Sequence, residues 1–159
     1  MNVRAYAPED VAQMAKIWNQ VVCDGVAFPQ TEPLDLDQAR AFFAAQDFCG
    51  VCQDGDEVVG LYILHPNNVG RCGHIANASY AVERGRRGAG AGRALVCHSL
   101  ETAKKLGFRL MQFNAVVRTN ERALRLYESL GFVRLGIIPG GFHIREGYDE
   151  DIVLFYRVL

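Results

Sequence analysis

The sequence predicts a single α/β domain in which helices pack on a sheet. The chain has 159 residues, half of them apolar, which suits one domain with one sizeable core. Apolar residues recur at helical spacing in some segments, and short runs rich in β-branched and aromatic residues lie between those segments. No repeat, linker or low-complexity tract divides the chain, so we predict one domain over residues 1–159.

The first half of the chain predicts two helices and three strands. Residues 2–7 form a short edge strand, and Pro8 opens a helix whose apolar stripe continues to Val22. Residues 24–33 form a loop that contains Phe28 and two prolines. Asp35 is placed to cap a second helix through residue 45. An Asp-Gly turn then joins two strands, predicted at 48–53 and 57–65.

The second half alternates strands with two further helices. A turn-rich loop at 66–73 precedes a strand at 75–82, and a helix then runs to about residue 106. A strand at 110–117 follows, and a helix over 119–130 ends at Gly131. Two last strands are predicted at 133–138 and 151–157, with Phe142, His143 and Tyr148 in the loop between them.

Charge and hydropathy exclude several classes of partner. The net charge of -1 argues against nucleic acid, because phosphate-backbone binding normally requires a basic face. The longest apolar run, residues 58–64, is too short to span a bilayer. The N-terminal segment lacks the apolar core of a signal peptide. We therefore expect a soluble cytoplasmic protein without nucleic-acid or membrane partners.

Five cysteines in a chain without an export signal predict reduced thiols. Cys49 and Cys52 have the spacing of a redox pair, but that chemistry usually places the first thiol at a helix N-terminus. Here the pair lies in a predicted strand, where positions i and i+3 point to opposite faces. We favour ordinary packing over a redox role.

The segment RRGAGAGRAL, residues 86–95, predicts a glycine turn at the start of a helix. Its glycines do not have the dinucleotide-binding spacing, and Ala91 stands where a P-loop requires lysine. Free backbone N–H groups at the positive end of the helix dipole form an anion site, and glycines allow a phosphate to approach. Phosphate binding supported by nearby arginines (Arg84, Arg86, Arg87 and Arg93) is one interpretation, and a tight turn with solvated arginines is the other.

Two motifs at a fixed separation resemble the GNAT N-acetyltransferase family. RGAGAG at 87–92 is similar to the family's R/Q-x-x-G-x-G/A turn and follows the strand SYAV. NERALRLYESLGF at 120–132 is similar to its N-x-x-A-x-x-L-Y-E-x-x-G-F helix. The resemblance implies a mixed, mostly antiparallel sheet of six to seven strands, flanked by helices and splayed between strands 4 and 5. It covers about residues 75–138.

The resemblance also implies acetyl-CoA as cofactor, inserted between the splayed strands. It assigns the pantetheine arm to the backbone of residues 80–82, the pyrophosphate to the turn, and a contact with either group to Asn120. The residues that it implies for cofactor binding are Tyr80, Ala81, Val82, Arg87, Gly88, Ala89, Gly90, Ala91, Gly92, Arg93 and Asn120. No metal is implied.

By the same resemblance Tyr127 is the general acid beside the thioester sulfur. A phenol with a pKa of about 10 can protonate a departing thiolate of similar pKa. An N–H near Tyr80 or Val82 would stabilise the oxyanion. The alternative for Tyr127 is a packing aromatic on the apolar face of its helix. The strand-4 glutamate that many family members use as base is missing, which leaves His74 or ordered water.

Two asparagines interrupt the strands on either side of the predicted splay. Asparagine is depleted in strands, and a buried amide without partners costs about 1–3 kcal/mol. Asn77 and Asn114 are therefore predicted to face a shared cleft and bind a small polar substrate. Alternatively, they satisfy irregular backbone at the splay. Phe28, from the first loop, is predicted to shape the same pocket.

A narrower resemblance concerns the acceptor. The segments IWNQVVCDGVAFPQTEP and HIANASYAV are similar to branches that acetylate azetidine-2-carboxylate, proline analogues and phosphinothricin. The resemblance implies acetyl transfer to the amine of an amino acid or analogue, by direct attack in a ternary complex. A non-catalytic acyl-CoA sensor remains the alternative, and a homodimer formed through the late strands is implied as well.

Overall fold

The computed structural model describes residues 1–159 and contains one seven-stranded sheet with four helices. The strands are β1 (Asn2–Ala5), β2 (Phe48–Asp54), β3 (Glu57–Pro66), β4 (Ile75–Val82), β5 (Leu110–Val117), β6 (Val133–His143) and β7 (Asp149–Val158). The helices are α1 (Val11–Asp24), α2 (Leu36–Ala44), α3 (Ala91–Lys105) and α4 (Glu121–Ser129). None of them is both long and apolar enough to cross a membrane.

The sheet has the order β1-β2-β3-β4-β5-β7-β6, and only β4 and β5 run parallel. These two strands pair at Ile75 with Leu110 and at Ala76 with Met111, and nowhere else. Each is eight residues long, so they separate after two rungs. The predicted splay between strands 4 and 5 is thereby confirmed.

Two hydrophobic layers cover the two faces of the sheet. One contains residues of α3 and α4 such as Leu95 and Leu124, and the other contains residues of α1 and α2 such as Trp18 and Phe43. Cys52 is buried in the first layer and Cys49 in the second, as alternation along a strand requires. Burial raises the pKa of the Cys49 thiol to about 12. The pair therefore packs and cannot form a disulfide.

Several element ends differ from the sequence prediction for local reasons. Residues Pro8–Asp10 form a 3-10 turn before α1 begins, and α1 continues to Asp24, where Gly25 caps it with a left-handed φ of 66°. β6 does not end before the Pro-Gly-Gly segment at 139–141 but passes through it as a register irregularity opposite β7. Pro139 is tolerated there because β6 is an edge strand. Phe142 and His143 consequently lie in a strand, and not in the predicted loop.

Candidate active site

The gap between β4 and β5 exposes backbone groups that no other strand uses. Backbone hydrogen bonds join the Glu83 N–H and the Ile75 carbonyl to the β3 side, whereas the His74 carbonyl accepts from β5. The backbone N–H and C=O groups of successive residues point to alternate edges of a strand. Those of Ala78, Tyr80 and Val82 therefore face the gap. Contact of Tyr80 and Val82 with the cofactor or with an oxyanion stays a prediction.

The backbone of Ala81 points the other way from that of Tyr80 and Val82. Because Ala81 lies between Tyr80 and Val82 in β4, its backbone groups point to the opposite edge, toward β3, where it pairs with Leu61. Its methyl group is buried in the layer that contains α1. Ala81 therefore supports the strand, and its contact with the cofactor stays a prediction.

The glycine turn places a row of free amides at the N-terminus of α3. Gly88 and Gly90 have φ of 91° and 94°, in the region that favours glycine. The first N–H that bonds back into the helix is that of Ala94, to the Gly90 carbonyl, and no side chain caps the helix. The N–H groups of residues 88–93 have no acceptor in the protein, and a Cβ at Gly90 would meet no atom within 4 Å.

The arginines around this turn fall into two groups. Arg84 and Arg87 pair with Asp24, and Arg86 pairs with Asp54 and Glu57, so these charges are largely neutralised within the protein. Arg87 also donates to the Val82 carbonyl at 3.3 Å, at the open end of the gap. Arg93 bonds only a hydroxyl, that of Ser129, at 3.1 Å.

Arg122, in the first turn of α4, is the cation that sequence reasoning missed. Its Nη1 lies 3.9 Å from the position of a Cβ at Gly88, and no acidic side chain pairs with it. The next arginine of α4, Arg125, pairs with Glu121 at 3.2 Å. Arg122 and Arg93 are thus the two arginines beside the free amides that no acidic side chain neutralises.

A cavity of about 190 Å³ occupies the gap where β4 and β5 diverge. Residues of both strands line it together with the first loop and α4, among them Phe28, Asn77, Tyr80, Asn114, Asn120 and Tyr127. Phe28 is held by Trp18, with ring centroids 4.4 Å apart. The Asn120 side chain caps α4 by accepting from the Ala123 N–H at 3.3 Å.

Two tyrosines meet in this cavity, and only one has a free hydroxyl. The Tyr80 hydroxyl lies 2.7 Å from the Ser99 Oγ, which itself donates to the Val96 carbonyl. The Tyr127 ring packs on Phe113 at 4.5 Å between centroids, and no protein atom bonds its hydroxyl. Burial raises the Tyr127 pKa above its usual value, so the group stays a neutral proton donor. The Tyr127 ring therefore packs in the core, and its hydroxyl is free to act as an acid.

The two asparagines share this cavity wall and also stabilise the splay. Asn77 Nδ2 donates to the Gln112 backbone carbonyl at 2.9 Å and so replaces the rung that follows the last backbone pair. Asn114 donates to Asn67 Oδ1 at 2.6 Å and accepts from Gln112 Nε2 at 3.1 Å. The Asn77 Oδ1 atom makes no hydrogen bond in the protein. Contact of either residue with substrate stays a prediction.

His74 does not occupy the position that a base would need. It precedes β4 at the end where β4 and β5 remain paired, and it is absent from the cavity wall. Glu83 lies beyond the other end of β4, beside Lys16. No carboxylate or imidazole lines the cavity in the gap.

Comparison with known proteins agrees with this geometry. The sequence profile of the acetyltransferase (GNAT) family matches residues 14–132, about three quarters of the chain. The chain belongs to the GNAT acetyltransferase family. The region matched includes the glycine turn, the splayed strands and α4, which are the elements that build the site.

Individual GNAT relatives resemble different portions of the chain. N-acetyltransferase aca1 of Schizosaccharomyces pombe is 37% identical over 102 residues, which cover 63% of this chain and 49% of the yeast protein. The chain thus spans about half the length of that relative. L-amino acid N-acyltransferase MnaT of Escherichia coli is 26% identical over 144 residues, covering 87% of this chain and 83% of MnaT.

Solved structures of GNAT proteins superpose over nearly the whole chain. A GCN5-related N-acetyltransferase from Kribbella flavida has a TM-score of 0.91 at 33% identity, covering 99% of this chain and 97% of that one. The yncA protein of Salmonella typhimurium, solved with acetyl-CoA, has a TM-score of 0.93 at 22% identity. The superposition covers 100% of this chain and 94% of the yncA chain, and it shows that the two proteins share a fold.

Arg122 generates a prediction for this GNAT protein. We expect Arg122→Gln to weaken CoA binding roughly 5- to 30-fold, because a charge-assisted hydrogen bond contributes about 1–2 kcal/mol. Arg125→Gln, about one turn further along α4 at an arginine that pairs with Glu121, is the matched control and should bind as the unaltered protein does. Calorimetry at low and high salt measures the effect, and equal losses in the two variants would contradict it.

Proposed function

We propose that the protein is an acetyl-CoA-dependent N-acetyltransferase that acetylates the amine of a small molecule, an amino acid or an analogue, by direct attack in a ternary complex. The opening between β4 and β5 carries the proposal: its cavity is lined by Tyr127, whose hydroxyl is free, and the turn with free amides follows the open end of β4. Membership of the GNAT family and the acetyl-CoA in the Salmonella relative support it.

The residues present fit acetyl-CoA. The amides of residues 88–93 would hold the pyrophosphate, because they lack acceptors and Gly90 leaves the approach open. Arg93 and Arg122 would add charge. The gap-facing backbone of Tyr80 and Val82 would pair with the amide-bearing pantetheine arm as a neighbouring strand does. Asn120, on the cavity wall between turn and gap, would contact the same arm.

Acetyl-CoA supplies a thioester whose carbonyl carbon accepts the amine and whose sulfur leaves as the C–S bond breaks. The N–H of Tyr80 faces the gap and would stabilise the negative charge that develops on the carbonyl oxygen. The Tyr127 hydroxyl would then give its proton to the departing sulfur. Its hydroxyl is free, and its raised pKa keeps the proton on the phenol until the sulfur departs.

The acceptor's proton leaves without a dedicated base in the cavity. Since no carboxylate or imidazole lines it, we expect the amine to lose its proton to water. Asn77 would orient the amine through its unused Oδ1 atom, and Phe28 would close the cavity from the first loop. The name of the relative MnaT, an L-amino acid N-acyltransferase, supports an amino acid as acceptor.

Tyr127→Phe tests the catalytic assignment. We expect kcat to fall roughly 10- to 100-fold, since removing a general acid typically costs that much or more, while the Kd for acetyl-CoA stays unchanged. Because the pKa of Tyr127 is raised, the unaltered enzyme should keep its activity through pH of about 10, where an ordinary phenol ionises. Thiol release measured against pH gives kcat and its pH dependence, and calorimetry gives the Kd.

Tyr80→Phe is the control for this experiment, since its hydroxyl is already bonded to Ser99. It should lower kcat less than about 3-fold, as expected of a hydroxyl outside the reaction. Equal effects of the two changes would remove Tyr127 from catalysis. If CoA binds and the unaltered protein acetylates none of a panel of amines, the non-catalytic acyl-CoA sensor is the better description.

We also propose that two copies pair through β6. This strand ends the sheet, is eleven residues long and carries exposed apolar side chains at Val133, Leu135, Ile137 and Ile138. An edge with free backbone groups and an apolar surface favours association with another strand. A second copy meets it with the same surface, as two-fold symmetry requires.

The homodimer generates its own prediction. Sedimentation should show a particle of twice the chain mass, and the double change Leu135→Lys with Ile137→Lys should shift it to the monomer, because charges on an edge strand oppose pairing. The matched change Val69→Lys, on an exposed loop residue, should leave the dimer intact. A monomer at micromolar concentration before any change would refute this interface.

A further inference from the structure

A second and larger cavity, of about 610 Å³, adjoins the cavity in the gap. It lies between the C-terminal end of α1, the first loop and the β6–β7 hairpin. Phe28 and Pro29 belong to both cavity walls, so the two spaces meet at these residues. The second cavity therefore opens beside the place where an acceptor amine would reach the thioester.

Arg145 is the fixed cation of this cavity. Its backbone N–H donates to the Gly25 carbonyl at 3.1 Å, and its Nη1 donates to the Cys23 carbonyl at 2.7 Å. A Cβ at Gly25 would stand 2.5 Å from the Arg145 Cβ, so this glycine permits the close approach of the two segments. Three contacts thus hold the arginine against the end of α1 and leave Nε and Nη2 unused.

The charge of Arg145 is not neutralised inside the protein. No acidic side chain forms a salt bridge with it: Asp24 pairs with Arg84 and Arg87, and Asp149 pairs with His143 at 2.7 Å. The other residues on the cavity wall are apolar or neutral polar, apart from His143. A guanidinium with two free N–H directions matches the geometry of a carboxylate.

We propose that Arg145 binds the carboxylate of the acceptor and so makes the enzyme selective for amines that carry a carboxylate. This inference rests on the proposed acetyltransferase function. The amine enters the cavity in the gap past Phe28, and the carboxylate stays in the second cavity against Nε and Nη2 of Arg145. The cavity volume leaves room for the rest of the acceptor between them.

Arg145 also has a structural role that any experiment must separate from recognition. A cation near the C-terminal carbonyls of α1 stabilises the helix end. Replacement would then lower stability and act on all acceptors alike. Selectivity between a carboxylate and its neutral amide, measured in one variant, distinguishes the two roles, because the amide occupies the same volume without the charge.

The test compares matched acceptor pairs, each an amino acid and its primary amide, with amino-to-carboxyl separations from that of glycine to that of 5-aminovalerate. For Arg145→Gln we expect kcat/KM to fall roughly 10- to 100-fold for the best acid and less than about 3-fold for its amide, as expected from loss of a charged hydrogen bond. Arg145→Lys should recover part of the loss. Arg134 lies on the same hairpin and pairs with Glu128, and Arg134→Gln should change kcat/KM neither for the acid nor for the amide.

Binding of the N-acetyl amino acids and their amides, followed by calorimetry, gives a readout that does not depend on turnover. A larger loss of affinity for the acids than for the amides in Arg145→Gln supports the proposal. Equal losses for acids and amides, or amides preferred by the unaltered protein, would overturn it. An unaltered protein that binds N-acetyl amino acids through Arg145 and acetylates no amine would instead refute the proposed function alone.

Discussion

The site depends on the two backbone rungs that join β4 to β5 and on the absence of a third. Where the strands part, the Asn77 side chain takes the Gln112 carbonyl, and a register irregularity in β5 between Phe113 and Val116 turns that strand away. The asparagine satisfies a backbone carbonyl that a continuous sheet would use, and the irregularity redirects the groups that follow it. The result is an open strand edge inside an otherwise paired sheet, which is where a peptide-like chain can add.

The remaining features are arranged around this opening. The glycine turn follows the end of β4 that is farthest from the two rungs, and its amides have no acceptor in the protein. Most arginines near the turn pair with acidic residues, so charge is available only where no carboxylate competes, at Arg93 and Arg122. On the opposite side of the gap Tyr127 is fixed by the aromatic rings of Phe113, Phe132 and Phe155.

Much of this arrangement was predictable from sequence because it depends on local rules. Alternation placed Cys49 and Cys52 on opposite faces, and two motifs located the turn and α4. The resemblance assigned Ala81 to the cofactor together with Tyr80 and Val82, because a motif does not distinguish the two edges of a strand. Arg122 and Arg145 were missed because their value depends on which other charges are neutralised, and that follows from tertiary contacts. For Arg122 the one available signal was that no acidic residue stands three or four positions away along the chain.

Amide hydrogen exchange on addition of acetyl-CoA tests the central claim most directly. Free N–H groups in residues 88–93 and at Tyr80 and Val82 should exchange rapidly alone and slow markedly when the cofactor is bound, since they then gain acceptors. The neighbouring Ala81 amide, already bonded toward β3, should change little. Unchanged exchange at the turn and in the gap, with acetyl-CoA at saturating concentration, would contradict the account.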